Sequence, residues 1–308
     1  MEYPERSTRR RARAAASARS SVATSNDSHQ SYPPQHRLLF RLNLGMGSVH
    51  TLIFILLLSL GDPNLQLRFF ECIPYMRNTS DAVPFLEPTA QESSATLQFT
   101  GLCASFSALS AFFHFGNALA WRDWYLCLLS ECICPSRWIE YFFSASIMVG
   151  CIAYPAGAID LVIFVLLMIM TGTTMTFGFL TEVLSRPTHD PGANGQGEIR
   201  KWKASYVPIW VPHVLGYIPM GGVWWAIMFL FHGGSRGRED GQNPPDFVFG
   251  IVYSELALYM SFACVQAWVL IKGPDSYVIG ECVYQWLSLV SKCTLSTVLL
   301  ANVLFLGG

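Results

Sequence analysis

Lys292 alone among the four lysines sits in the middle of a long apolar stretch, and polar residues recur around it as Glu281, Gln285, Ser288, Lys292 and Ser296. Gaps of four, three, four and four residues put all five on one helical face. Such a stripe must face protein or water rather than lipid. An amine held there has two chemical uses. Desolvated, it is deprotonated enough to condense with an aldehyde to a Schiff base; charged, it pairs with an intramembrane carboxylate, as in a transporter or channel. The spacing alone leaves both readings open.

A buried cation needs an anion, and Glu140 stands in the apolar run Arg137-Trp138-Ile139-Glu140-Tyr141, with Ser144 one turn later. Its bland alternative is a local pair with Arg137, because Pro135 marks a helix start only a turn or two earlier. His50 and His114 lie at a similar predicted depth, which suggests a shared polar cavity, although a single intramembrane histidine is commonly a hydrogen-bonded packing residue. Two further carboxylates complete the set: Glu281 near the start of the last apolar segment and Glu255 in the segment before it. Spread across the membrane, Glu281, the histidines, Glu140, Lys292 and Glu255 have the order a proton relay needs, while Glu255 could equally face an interface or bond within a bundle.

These residues require a membrane scaffold. The 308 residues are 52% hydrophobic and 13% charged, and the charged share of a typical soluble domain is about 25%. Seven stretches reach the roughly 20 residues needed to span a bilayer: about 41–60, 97–120, 135–154, 157–180, 206–231, 247–271 and 277–306. Breakers separate them, including Gly61-Asp62-Pro63, the polar run 186–203, 233–245 and Gly273-Pro274. Only Tyr154-Pro155-Ala156 separates the third from the fourth, which predicts a tight helical hairpin. The expected organisation is an all-α membrane protein: a basic tail over 1–37 and a seven-helix domain over 38–306, with some structure of its own in the loop 61–96.

Charge orients it. With the N-terminus cytoplasmic, the inner side holds the eight arginines of the tail region, Arg122, Arg137, Arg186, Arg200, Lys201, Lys203 and Lys272, and the outer side Arg68, Arg77, Arg236 and Arg238. Fifteen against four is a clear positive-inside bias, with the C-terminus outside. The sequon Asn78-Thr79-Ser80 then falls outside. Residues 6–25 are rich in Arg, Ser and Ala without an acid, which fits an organellar transit peptide or a basic tail touching anionic lipid, so a plasma or organelle membrane is expected. Cysteine is odd in number at nine and Cys72 alone lies clearly on the outer side, so no external disulfide framework is implied; Cys127, Cys132 and Cys134 lack zinc-site spacing, so no metal is expected. No nucleotide loop or nucleophile with its base occurs in the connecting segments, which argues against an enzyme, and no nucleic-acid partner is expected.

Two strings together resemble one family. Arg137-Trp138-Ile139-Glu140-Tyr141-Phe142-Phe143-Ser144-Ala145-Ser146-Ile147-Met148 resembles the third-helix signature of heliorhodopsins, and Leu287-Ser288-Leu289-Val290-Ser291-Lys292 their retinal-binding motif. Asn43, Gly45, Met46 and His50, His114, and Gly280-Glu281 fit as well, so the likeness covers about residues 38–306. The resemblance implies a seven-transmembrane-helix rhodopsin bundle of inverted orientation, with all-trans retinal on Lys292 as a Schiff base and Glu140 as counterion. It also implies that His50, His114, Ser144 and Ser288 surround the Schiff base, that the chain forms a homodimer partly through the first outer loop, and that it signals light through a slow photocycle to a partner rather than pumping. A light-gated proton or ion channel is the main alternative, and a retinal-free transporter the second. Trp210, Trp224, Trp225, Trp268 and Trp286 are candidates for the walls of a retinal pocket. The basic tail is longer than in compact members, suggesting a eukaryotic or viral origin, and Glu255 is an added carboxylate in the sixth helix.

Overall fold

The computed structural model describes residues 34–76, 86–191, 198–203, 207–236 and 245–304. Most of the basic tail and the sequon at Asn78 lie outside the described residues. Contacts divide the chain into Met1–Arg37 and Leu38–Gly308; the first is described only where it opens a helix at Pro34.

The helices are α1 (Pro34–Leu60), α2 (Phe99–Phe115, continued by a π-helical turn to Ala120), α3 (Arg122–Ser130), α4 (Pro135–Ala153) and α5 (Leu161–Leu184). They are followed by α6 (Trp210–Leu215), α7 (Tyr217–Arg236), α8 (Asp246–Lys272) and α9 (Tyr277–Leu299, with a π-helical turn to Leu304). Among the described residues, six helical stretches are long and apolar enough to cross a membrane: Gln35–Leu60, Phe99–Ala120, Leu161–Leu184, Trp210–Gly233, Asp246–Lys272 and Pro274–Val303. The 19-residue α4 falls outside that set because Arg137, Glu140 and three serines, Ser136, Ser144 and Ser146, dilute its apolar residues. These are the groups it brings into the interior: all five are buried.

Several boundaries differ from the sequence expectation. The first helix begins at Pro34 rather than near 41, and the fourth begins at Leu161 rather than 157. The cause of the second shift is local. Gly157 takes φ +110° and turns the chain, and the Asp160 side chain accepts from the Ile163 amide at 2.9 Å, capping α5. The link between α4 and α5 therefore runs over 154–160 rather than three residues. At its other end α5 extends to Leu184, four residues past the expected stop.

The sequence reading did not anticipate two β-hairpins and the short helix α3. β1 (Gln66–Met76) and β2 (Leu86–Gln98) pair antiparallel from Gln66↔Gln98 to Met76↔Leu86. Leu67 and Phe69 are buried while Arg68 and Phe70 are exposed, as the two-residue period of a strand requires. Phe69 packs on Tyr154 and Phe164 at 5.7 and 4.9 Å, and the Phe70 amide donates to Ile159 O at 2.9 Å, which fastens the hairpin to the α4–α5 turn. β3 (Pro187–Pro191) pairs antiparallel with β4 (Glu198–Trp202), and Trp202 Nε1 donates to Leu270 O in the last turn of α8 at 3.0 Å.

The main core lies at the end of the bundle under β1–β2, where Leu67 and Phe69 join Phe106, Ile152, Ile227, Phe231, Ile251 and Leu295. A second cluster, with Tyr125, Leu129, Cys132, Val269 and Tyr277, closes the other end with Trp202 packed against it. The polar site lies between them.

Candidate functional site

Lys292 projects from α9 with 2% exposure. Its Nζ donates to Glu140 Oε1 on α4 at 2.8 Å and to Ser288 Oγ, one turn earlier on α9, at 2.8 Å. From α2, Ser110 Oγ donates to the same Glu140 oxygen at 2.7 Å. The Tyr141 ring lies 5.4 Å from Nζ. Three helices thus converge on one buried ion pair, and withdrawing two charges from water is offset only where such hydrogen bonds surround them.

His50 on α1 and His114 on α2 stack with ring centroids 5.5 Å apart, and His114 Nδ1 lies 2.9 Å from Asn43 Oδ1. Asn43 Nδ2 reaches Tyr125 OH at 3.5 Å, and Tyr125 OH donates to Glu281 Oε1 at 3.0 Å. Both nitrogens of His50, His114 Nε2, Ser144 Oγ and Ser107 Oγ are buried with no hydrogen-bond partner among the described residues. Ser144, expected beside the amine, therefore makes no hydrogen bond to Lys292 among the described residues.

Arg137 does not pair with Glu140. It lies one turn earlier on α4 and binds two other carboxylates, Glu182 of α5 and Glu281 of α9. Its guanidinium carbon lies over the Tyr284 ring, 4.3 Å from the centroid, and the Cys134 amide donates to Glu182 Oε2 at 3.0 Å. Glu281 is thus tied into an ion cluster rather than left at an open mouth, and Gln285 Nε2 adds a bond to it at 3.3 Å. Arg137→Gln leaves two buried carboxylates without their cation; breaking a buried pair costs about 3–5 kcal/mol. The expected result is a sharp fall in folded yield and in the thermal midpoint of the purified protein, and an unchanged melting curve would show that the cluster does not hold the fold.

Beside Lys292 opens a cavity of about 900 Å³, its mouth included. It runs among Tyr141 and Met148 of α4, Phe177 of α5, Trp224 of α7 and Tyr259 of α8. Trp138 also lines it and packs on α5, where a side chain at Gly178 would collide with the indole. On the far wall His213 Nδ1 lies 2.9 Å from Gln266 Oε1, and Gln266 Nε2 donates to Gly178 O at 2.9 Å. Glu255 of α8 lines the same cavity and accepts from Ser291 Oγ, next to Lys292, at 2.6 Å.

The tryptophan candidates need correction. Trp210 and Trp286 are 38% and 54% exposed and line no part of this cavity, because Trp286 sits on the face of α9 away from the polar stripe. Trp225 and Trp268 are likewise exposed; of the five named, Trp224 alone lines the cavity. Sequence reasoning also missed Ser110 and Glu182. The first was legible in the spacing of Ser107, Ser110 and His114 on one face of α2; the second was hidden by ending the fourth helix at 180. Cys132 and Cys134 turn to different partners, Pro274 O and Glu281.

The family profile described as Heliorhodopsin matches residues 39–304. A solved structure of a light-driven proton pump from Leptosphaeria maculans is similar at 13% identity and a TM-score of 0.41, covering 88% of this chain and 95% of that one. No curated protein matches the chain.

Proposed function

Because the chain belongs to the heliorhodopsin family, we propose that it is a light-sensing retinal protein in which Lys292 carries the chromophore and Glu140 is the counterion. The observation that carries this reading is a lysine–carboxylate pair, 2% and 3% exposed, opening onto an aromatic-walled cavity. The residues present fit retinal. The cavity is mostly apolar, its walls include Met148, Trp224 and Tyr259, and Lys292 is the one amine among the described residues that line it. All-trans retinal, when bound to Lys292 as a protonated Schiff base, supplies the light absorption and the isomerisation.

The protein's own residues do the rest. Glu140 balances the positive charge at Lys292 Nζ, and Ser110 fixes which carboxylate oxygen faces it. Ser288 holds Nζ from the other side. The unpartnered nitrogens of His50 and His114, with Ser144 and Ser107, offer buried proton acceptors on the side of the bundle that the charge bias makes cytoplasmic. A proton leaving Nζ passes to Glu140 Oε1 and from there into this cluster, and the resulting change in charge shifts α4 and α9 against α2. Slow return of the proton and signalling to a partner protein, from a homodimer with inverted orientation in the plasma or an organelle membrane, complete the reading.

The test is a visible absorption spectrum of the protein expressed with all-trans retinal, followed by hydroxylamine under illumination. A band that bleaches supports the assignment, and a purified, folded protein without one sinks it.

A second reading, light-gated proton conduction, is favoured by Glu255. Its bond to Ser291 puts a second carboxylate on the wall of the Lys292 cavity, in the half of α8 opposite the histidines. Under that reading photocurrents appear in voltage clamp and vanish in Glu255→Gln, as expected when an intramembrane relay loses its ionisable group. Absence of photocurrent from the parent protein would leave the sensor reading alone.

A further inference from the structure

Cys103 and Cys151 stand apart from the site just described. Cys103 lies in the first turns of α2 and Cys151 in the last turn of α4, each 0% exposed, with their sulfurs 3.6 Å apart. Buried cysteines commonly serve as small apolar residues, and either one alone would be read that way. Two facing each other across a helix pair are different. Their separation exceeds the S–S bond length of about 2.05 Å by a gap of the size that rotation about the two Cα–Cβ bonds covers. Above them lie Leu67 and Phe69 of the β1–β2 hairpin, in the same core cluster.

We propose that Cys103 and Cys151 are joined in the assembled protein by a disulfide that staples α2 to α4 beneath the β1–β2 hairpin. Two S–H bonds give up their protons, one S–S bond forms, and the two electrons reduce the disulfide of an oxidant to a pair of thiols. The oxidant is a protein or small-molecule disulfide of the compartment outside the membrane; the proposal rests on the orientation argued above for this step alone. Because both sulfurs are sealed in the folded chain, the bond forms during insertion, before the hairpin packs down. Once made, it holds the two helices that carry Ser110 and Glu140, with Ser110 two turns further along α2.

The experiment is thiol mapping of the full-length protein purified from a eukaryotic host. Free thiols are alkylated with N-ethylmaleimide under denaturing conditions, the sample is reduced and alkylated with a heavier maleimide, and peptides are read by mass spectrometry. The expected result is heavy label at Cys103 and Cys151, with light label at Cys151 in C103S and at Cys103 in C151S. Folding of each variant is checked by size exclusion, and if both single variants aggregate, the parent map alone decides. Light label at both positions in the parent, or heavy label that persists at Cys151 in C103S or at Cys103 in C151S, overturns the proposal. The readout uses no chromophore, so it fails or succeeds independently of the retinal assignment.

Discussion

Lys292→Ala is expected to abolish the visible band completely, whatever retinal concentration is supplied. The other three lysines, Lys201, Lys203 and Lys272, are exposed and none lines the cavity, so no second amine can take its place. The substitution also strands Glu140 with Ser110 as its hydrogen-bond donor. An uncompensated buried charge costs about 3–5 kcal/mol, so lost colour could reflect lost fold. A double variant, Lys292→Ala with Glu140→Gln, removes both charges and should recover the elution profile of the parent while staying colourless. Colour surviving in folded Lys292→Ala would remove the chromophore from this site altogether.

Glu140→Gln is expected to give the largest spectral change of any single substitution that leaves the pigment formed. The carboxylate lies 2.8 Å from Nζ, and two unit charges at that separation attract by about 6 kcal/mol at an effective dielectric of 20. That attraction stabilises the ground state, in which positive charge sits at the nitrogen, more than an excited state in which the charge has spread along the polyene. While the nitrogen stays protonated, removing it narrows the gap and the band moves to the red, by at most that energy. Arg137→Lys, which keeps the charge of a residue one turn away, should leave the band nearly in place. A Glu140→Gln spectrum superimposable on the parent would mean that some other group balances the nitrogen.

The parts of this arrangement differ in how far sequence could reach them. Lys292 stands out because charge is costly in a bilayer and no other lysine lies in the middle of an apolar run. The partner of Glu140 does not. Arg137 and Lys292 are both cations within plausible reach, and Arg137 is the nearer along the chain, yet helical geometry sends it toward α5 and α9 instead. Choosing between them needs the side-to-side placement of three helices, which spacing within one helix does not encode. Glu182 was lost to a boundary error of four residues, the ordinary uncertainty of a helix end read from hydropathy.

The hairpins were illegible for another reason. β1–β2 and β3–β4 carry charged, proline-containing segments whose pairing depends on register rather than apolar periodicity, and tertiary bonds such as Phe70 to Ile159 fix the first in place. The pocket tryptophans failed similarly. An indole suits a cavity wall and a membrane interface equally, and whether it turns inward depends on the helix face. Trp138 and Trp224 turn inward; Trp210 and Trp286 do not.

The bond from Trp202 to Leu270 has a mechanical meaning. It ties the base of the β3–β4 hairpin to the last turn of α8. From the pair Pro187↔Trp202 to the pair Pro191↔Glu198 is four residues, roughly 13 Å of strand. A 5° rotation of the hairpin with that turn of helix would sweep Pro191 through about 1 Å by the same strand length. The tip of the hairpin would thus travel further than the turn of helix that carries its base.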